Sequence, residues 1–223
     1  IRTNLQFMLR NKEQKVIMVT SSISGEGKTF SATNLAAIFA MNNKKVLLIG
    51  CDMRKPALHR IFNVSNSSGL SSVIIGKKAF SDSVFDTAVD NMSLLPSGPV
   101  PPNPAELIET DEMVQLLVQV RKDYDYIILD TPPVALVSDA LSLSRYADLT
   151  LYVVRQNYSQ KAVIKMANEM KLDERLPRLT LLINDIKPKR NLGYTYYYGY
   201  NRGYNYGYYG YSNYYTEEGE EKA

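Results

Sequence analysis

Short and nearly continuous apolar runs alternate with segments of helical periodicity as far as about residue 190, and this alternation narrows the possible folds more than any other feature. Strands that are apolar on both faces and are separated by helices form parallel sheets, which helices cover on both sides. The sequence therefore predicts an α/β fold, with a mostly parallel sheet flanked by helices on both faces. We expect strands at 15–20, 46–49, 92–95, 126–129, 149–154 and 179–183, and longer helices at 28–41, 110–121 and 159–170.

The composition excludes several other kinds of protein. The chain has 223 residues with one cysteine and one histidine, too few for a disulfide framework or a structural zinc site. No apolar run approaches the roughly 18 residues of a membrane span, and the net charge of +3 is too small to indicate nucleic-acid binding. We assign no role to Cys51 or His59. The chain does not begin with Met, and we expect it to be part of a longer protein.

The chain divides into a body and a tyrosine-rich tail. Residues 1–190 carry the alternating pattern, and 1–12 are predicted to be the end of a helix that packs on the body or on a neighbour. The apolar stripe of that helix consists of Ile1, Leu5, Met8 and Leu9. Residues 191–223 contain 12 of the 17 tyrosines and are otherwise rich in Gly and Asn, without a helical or strand period. Such a segment supplies no core and is predicted to be a flexible tail.

A glycine-rich segment lies between the first predicted strand and the first longer helix. It matches the phosphate-loop pattern G-x-x-x-x-G-K-[ST], except that Ser22 replaces the first glycine. Gly25 and Gly27 let backbone N–H groups turn towards phosphate oxygens, where the helix terminus adds positive charge. Lys28 is predicted to reach the outer phosphates, and the Thr29 hydroxyl to bind Mg²⁺. The alternative is a glycine-rich turn without a ligand; a dinucleotide site is excluded because the third glycine of G-x-G-x-x-G is missing.

Two predicted strands are followed by carboxylates that could hold the metal. Asp130 closes the fourth strand in the manner of a Walker B acid, and Asp52 follows the second strand. Because the carboxyl ends of parallel strands form one binding crevice, Thr29, Asp52 and Asp130 are expected to converge on one Mg²⁺. For both acids the alternative is an ordinary loop aspartate. Asp139 is either a supporting acid or a helix-terminal residue, and Arg54 either attracts phosphate or lies in a solvated basic turn.

Several motifs together resemble the bacterial protein-tyrosine kinases (BY-kinases) of capsule and exopolysaccharide production. The phosphate loop alone is common to the P-loop NTPases, whereas its combination with the other motifs and a terminal tyrosine cluster is specific. The matching segments are 20–29, 52–56, 97–107, 129–133 and 194–215. The resemblance implies a P-loop NTPase fold related to the deviant Walker ATPases of plasmid partition and division-site selection.

The resemblance also implies roles for individual residues. By this resemblance the catalytic residues are Lys28, Asp52, Asp130 and Arg54, and the Mg²⁺ ligands are Thr29, Asp52 and Asp130. Contacts to ATP or ADP fall on the phosphate loop and on an asparagine after the last strand, which would contact the adenine. These residues are Ser24, Gly25, Glu26, Gly27, Lys28, Thr29, Phe30 and Asn184.

The implied reaction transfers the ATP γ-phosphoryl group to tyrosines, largely in the tail of a neighbouring subunit. The implied acceptors are Tyr194, Tyr196, Tyr197, Tyr198, Tyr200, Tyr204, Tyr206, Tyr208, Tyr209, Tyr211, Tyr214 and Tyr215. The resemblance further implies a homo-oligomeric ring, an octamer, whose assembly is cycled with a cognate tyrosine phosphatase and the polysaccharide export machinery. Two membrane helices, in the full protein or in a partner, would place this soluble segment at the cytoplasmic face of a bacterial inner membrane. In the family, an acidic residue and two arginines on the first helix make the ring contacts. Arg2 of this chain matches the second of those arginines.

One position departs from the family pattern. The family has Asp-x-Asp-x-Arg after the second strand, whereas this chain reads Gly50-Cys51-Asp52-Met53-Arg54 and lacks the first aspartate. That aspartate is a proposed base or orienting group for the incoming tyrosine. General-base assistance is worth about 10²–10⁴-fold, so we expect intact nucleotide binding with slowed or rearranged transfer, and Asp52 left to accept the proton.

The tail has two interpretations. As a substrate, a coil of about 30 residues reaches roughly 30 Å, enough to enter a neighbouring subunit. As a low-complexity segment, it would self-associate through its aromatic rings. Nucleic-acid binding is disfavoured, since Arg202 is the only cation between Gly193 and Thr216. The leading hypothesis is therefore an autophosphorylating tyrosine kinase; the alternatives are a nucleotide-switched scaffold (a pseudo-kinase) and a partition-type ATPase that uses water as its acceptor.

Overall fold

The sheet of this protein has seven strands and is parallel except at one edge. The computed structural model describes residues 2–9 and 15–187. The strands are β1 (Val16–Ser21), β2 (Val46–Gly50), β3 (Phe85–Asp86), β4 (Met92–Leu95), β5 (Tyr126–Asp130), β6 (Leu149–Arg155) and β7 (Thr180–Asn184). Their order is β3-β4-β2-β5-β1-β6-β7, and only the pairing of β3 with β4 is antiparallel within the described chain. The mostly parallel sheet predicted from the sequence is confirmed.

Helices cover both faces of the sheet. They are α1 (Arg2–Met8), α2 (Lys28–Ala40), α3 (Leu58–Ile61), α4 (Leu70–Ile74), α5 (Pro104–Ile108), α6 (Asp111–Asp123), α7 (Asp139–Ser144) and α8 (Lys161–Leu172). One apolar core lies between the sheet and α1, α2 and α3, and the other lies between the sheet and α4 to α8. Both faces of the sheet are therefore buried, which explains why the central strands are apolar at consecutive positions.

The central strand β1 illustrates this packing. All six of its residues are buried, and it lies between β5 and β6. Val16 and Met18 pack into the core beneath α6 and α8, while Ile17 and Val19 pack into the core beneath α2. Both sets must be apolar, because successive side chains of a strand point to opposite faces.

The structure changes some predicted boundaries and adds short elements. Helix α8 begins two residues later than predicted, because residues 156–160 form a separate turn. Pro104 is the first residue of α5, where proline is tolerated because its missing N–H has no helical partner. The sequence did not predict the strand β3 or the short helices α3, α4, α5 and α7, since two to six residues are too few to show a period.

The amino-terminal helix is shorter than predicted. It ends at Met8, and residues 10–14 lie outside the described part of the chain. Leu5 and Leu9 are buried in the core shared with α2, as the predicted stripe required, while Met8 is partly exposed. Ile1, the side chain of Arg2 and the whole tail from residue 188 also lie outside the described residues. Within the described ranges no helix combines the length and apolarity needed to span a membrane.

Candidate active site

The phosphate loop connects β1 to α2 at the carboxyl edge of the sheet. Gly25 and Gly27 have φ angles of +84° and +93°, in the left-handed region that favours glycine. A Cβ atom on Gly27 would lie 2.1 Å from Nδ2 of Asn184, so a larger residue would have to displace the Asn184 side chain and adopt a strained backbone. Among the described residues, the backbone N–H groups of Gly25, Gly27 and Lys28 have no hydrogen-bond partner. The loop therefore offers free N–H donors at the start of a 13-residue helix, as an anion site requires.

Asp130 lies beside the first turn of that helix. The Thr29 hydroxyl donates to Oδ1 of Asp130 over 3.1 Å, and Asp130 is almost fully buried. Burial raises the pKa of Asp130 from the ordinary 3.8 to about 7; the Lys28 charge and the Thr29 hydrogen bond oppose the rise, and the Asp52 charge adds to it. A cation close to Asp130 would therefore stabilise the ionised form of this buried carboxylate.

Asp52 lies on the other side of Lys28. Its backbone N–H and that of Cys51 donate to the carbonyl of Asp130, over 3.1 and 2.8 Å, which fixes this loop against the end of β5. Lys28 Nζ is 3.8 Å from Oδ2 of Asp52, and the Asp52 Oδ1 atom accepts the N–H of Lys55 over 3.0 Å. The structure thus brings Lys28, Thr29, Asp52 and Asp130 together, as the motif spacing predicted.

This donor set fits Mg²⁺ with a triphosphate. A hydroxyl and two carboxylates are hard oxygen donors, and Mg²⁺ commonly takes one or two carboxylates and completes its shell with water and phosphate oxygens. In the parts of the chain that the structure describes, no three His, Cys, Asp or Glu side chains are grouped for a metal. The residues would therefore hold Mg²⁺ together with phosphate rather than in a cage of protein ligands.

The position of the missing aspartate is filled by another side chain. Gly50 pairs with Asp130 in the register of β2 and β5. A Cβ atom on Gly50 would lie 2.7 Å from Oγ and 3.1 Å from the backbone N of Ser97, inside normal contact distance. Ser97 is buried and its hydroxyl donates to the carbonyl of Asp52 over 3.3 Å. A larger residue at position 50 would therefore have to displace Ser97 and the loop after β4.

Arg54 is held in an ion pair. Its Nε and Nη2 atoms donate to the two carboxylate oxygens of Asp139 over 2.7 and 3.0 Å. The Asp139 side chain is buried at the first residue of α7, while Arg54 is about half exposed. Asp139 thus starts a helix, as one interpretation predicted, and it pairs with Arg54; its role as a supporting acid of the site stays a prediction. The hydrogen bond and the charge of Asp139 raise the pKa of Arg54 above its ordinary value.

The remaining predicted residues take different positions. Phe30 lies on the first turn of α2 and is 64% exposed. Cys51 is fully buried, and burial together with the charges of Asp130 and Asp52 raises the pKa of its thiol. It is therefore a packed residue. His59 is partly buried on α3, and its Nδ1 atom has no partner among the described residues.

Known proteins share this chain's motifs and fold. The AAA domain family matches residues 14–180. The putative tyrosine-protein kinase CapB of Staphylococcus aureus is 36% identical over 199 residues, which cover 89% of this chain and 87% of CapB. This chain belongs to the bacterial protein-tyrosine kinases. Among solved structures, the kinase domain of Escherichia coli tyrosine kinase ETK aligns with 92% of this kinase and 78% of that chain, at 32% identity and a TM-score of 0.79.

Two further structures extend the comparison. The chimerical protein CapA2B2 is 34% identical and covers 83% of this kinase and 82% of that chain, with a TM-score of 0.77. The septum site-determining protein MinD of Pyrococcus horikoshii is 21% identical over 76% of this kinase and 70% of that chain, with a TM-score of 0.64, and shares the fold alone. The predicted P-loop NTPase fold, which resembles that of the division-site ATPases, is confirmed.

The kinase has a set of loop contacts that sequence reasoning missed. The carbonyls of Ser24, Gly25 and Glu26 each accept a hydrogen bond from a distant side chain. The donors are the Tyr158 hydroxyl at 3.0 Å, Arg155 Nη1 at 3.1 Å and Asn184 Nδ2 at 3.1 Å. Asn184, predicted to contact adenine, thus holds the phosphate loop with its amide nitrogen. No local pattern marks these residues, because they lie 130 to 158 positions from their acceptors.

Proposed function

We propose that this kinase transfers the γ-phosphoryl group of ATP to tyrosines of its own tail, and that the acceptor tail belongs to another copy. The observation that carries the proposal is the convergence of Lys28, Thr29, Asp52 and Asp130 around a glycine loop with free N–H groups. The proposed acceptors are the twelve tyrosines between residues 194 and 215, because no other segment of the sequence is so rich in phenols.

In the proposed mechanism the chain mainly positions and neutralises charge. The loop N–H groups and Lys28 would hold the phosphate oxygens. Thr29, Asp52 and Asp130 would hold Mg²⁺, which when bound would supply positive charge to neutralise the phosphates. The tyrosine oxygen forms a bond to the γ-phosphorus as the bond to the β–γ bridging oxygen breaks, and ADP leaves. Since Gly50 carries no carboxylate, Asp52 is the group proposed to accept the phenol proton. Arg54, held by Asp139, is proposed to contribute positive charge at the crevice.

The predicted oligomer, partners and location are also proposals. We infer that the kinase assembles as a homo-oligomeric ring, an octamer, and that a cognate tyrosine phosphatase reverses its modification. The similarity to CapB and to the chimera CapA2B2 supports a partner chain in a polysaccharide export system. Through a partner or a longer protein, the kinase would work at the cytoplasmic face of a bacterial inner membrane.

A test in trans separates the donor of phosphate from the acceptor. The enzyme is the full chain with the twelve tail tyrosines replaced by Phe, and the acceptor is the full chain carrying Lys28→Met. Phosphotyrosine on the acceptor after incubation with ATP and Mg²⁺ is expected, and a mixture with Lys28→Met in both chains is the control. Free phosphate without phosphotyrosine would indicate a partition-type ATPase, and nucleotide binding without either product would indicate a scaffold.

A further inference from the structure

Residues 155–159, which are the last residue of β6 and the turn that follows it, contact the phosphate loop. Arg155 Nη1 donates to the carbonyl of Gly25 over 3.1 Å, and the Tyr158 hydroxyl donates to the carbonyl of Ser24 over 3.0 Å. The Ser159 hydroxyl donates to the carboxylate of Glu26. These contacts come from one short turn and reach three consecutive residues of the loop.

The turn is itself well braced. The Arg155 guanidinium pairs with Asp185 over 3.2 Å and lies 5.3 Å from the centre of the Tyr158 ring. The N–H of Arg155 donates to the Ser159 hydroxyl over 2.8 Å. A Cβ atom on Gly25 would approach the Tyr158 hydroxyl to 2.6 Å, so the loop and the turn are in close contact.

The direction of these hydrogen bonds has a consequence for phosphate binding. The three side chains that reach the loop, those of Arg155, Tyr158 and Ser159, donate to its carbonyl or carboxylate oxygens, and none bonds the backbone N–H groups of Gly25, Glu26 or Gly27. Fixing the carbonyl of a planar peptide also fixes the direction of the following N–H group. A loop held in this way does not have to become ordered when it binds a ligand, which increases affinity.

We infer that Arg155 and Tyr158 are positioning residues that hold the phosphate loop ready for the nucleotide phosphates. The inference rests on the proposed function, in which the loop binds ATP. The two residues act through the loop carbonyls and need no contact with the nucleotide itself. Neither residue belongs to the phosphate-loop or aspartate motifs, so they extend the binding machinery to a turn that the sequence did not single out.

The chain offers a close control for Tyr158. The Tyr146 hydroxyl also donates to a backbone carbonyl, that of Ile108, over 2.8 Å, and Arg145 lies 4.9 Å from its ring centre. Tyr158→Phe and Tyr146→Phe thus remove the same kind of hydrogen bond beside the same kind of cation, and only the first touches the loop. If the role of Tyr158 were merely structural, the two variants would behave alike.

The first measurement is the affinity for ADP with Mg²⁺ by calorimetry on the full chain. Tyr158→Phe is expected to weaken binding about three- to tenfold, which corresponds to one neutral hydrogen bond, while Tyr146→Phe stays within twofold of wild type. Arg155→Met is expected to weaken binding about tenfold or more. Asp185→Asn removes the ion pair but leaves the donor to Gly25, and should stay within about twofold. Wild-type affinity in both Tyr158→Phe and Arg155→Met would overturn the inference.

The second measurement keeps this inference separate from the proposed function. Backbone ¹⁵N relaxation of nucleotide-free protein should give a lower order parameter for Gly25 in Tyr158→Phe, and for Glu26 in Arg155→Met, than in wild type or Tyr146→Phe. Unchanged order parameters in Tyr158→Phe and Arg155→Met would overturn the positioning role even if nucleotide binds. Failure of the wild-type chain to bind ADP would instead overturn the proposed function, and the order parameters would still decide whether the turn orders the loop.

Discussion

At the scale of single residues, the site is dominated by charges held out of water. Asp130 is buried where Lys28 and Thr29 only partly offset the loss of hydration, so its pKa rises to about 7. The unfolded chain has the ordinary value near 3.8. The folded, nucleotide-free protein therefore binds a proton that the unfolded chain releases. This contribution to stability is complete below about pH 4 and is lost as the pH rises through 7.

Asp130→Asn should remove this dependence. Asparagine cannot ionise, so the variant is expected to be more stable than wild type at pH 8 by about 1–3 kcal/mol, within the limit of about 4 kcal/mol set by the shift. The advantage should shrink steadily towards pH 5. Thermal unfolding without nucleotide or Mg²⁺ at several pH values measures it. A difference between the two proteins that stays constant from pH 5 to pH 8 would contradict the assignment.

Gly50 leads to a second prediction about a single residue. Adding only the family aspartate, Gly50→Asp, forces its Cβ against Ser97, and overpacking of this kind costs about 1–3 kcal/mol. We therefore expect Gly50→Asp to lower stability without restoring faster transfer. Combining it with Ser97→Gly should recover part of the loss, because the obstructing hydroxyl is gone. Urea unfolding of the two single variants and the double variant gives the coupling, and strict additivity would show that the two positions are independent.

At the scale of elements, the loop after β2 is joined to the start of α7 by Arg54 and Asp139. Because Asp139 is buried and Arg54 is half exposed, the two substitutions should differ in cost. Arg54→Met leaves a buried carboxylate without its partner and is expected to cost about 1–3 kcal/mol. Asp139→Asn leaves a cation that water can solvate and should cost less. Chemical denaturation of both variants checks this order, and a larger loss for Asp139→Asn would refute it.

The elements also show which parts of the structure could be predicted from the sequence alone. The long apolar runs predicted every strand except β3, which has two residues, and the glycine loop and two aspartates were found because each follows such a run. The pairing of Arg54 with Asp139 spans 85 residues, and the contacts of Arg155 and Tyr158 with the loop span 130 or more. Such pairs depend on strand order, with β6 beside β1, which no local pattern contains.

At the scale of the whole molecule, phosphorylation would change the charge balance. The chain carries +3, and each phosphate adds about −1.5 to −2 at pH 7, so a few phosphates reverse the sign. We expect the phosphorylated protein to form smaller particles than the phosphatase-treated protein. We also expect 0.5 M salt to reduce the difference, since salt screens repulsion. Light scattering before and after phosphatase treatment measures particle mass. Identical masses would contradict the prediction that phosphorylation reduces particle size.

The burial of the single thiol gives this kinase an internal reporter. Cys51 lies between Gly50 and Asp52 with its sulfur sealed from solvent, and the rise in its pKa makes it still less reactive. A maleimide can alkylate it only when the end of β2 transiently opens. The rate of Cys51 alkylation in the wild-type chain therefore reports how often this opening occurs, without any engineered tag. A bound nucleotide that closes the crevice should lower that rate.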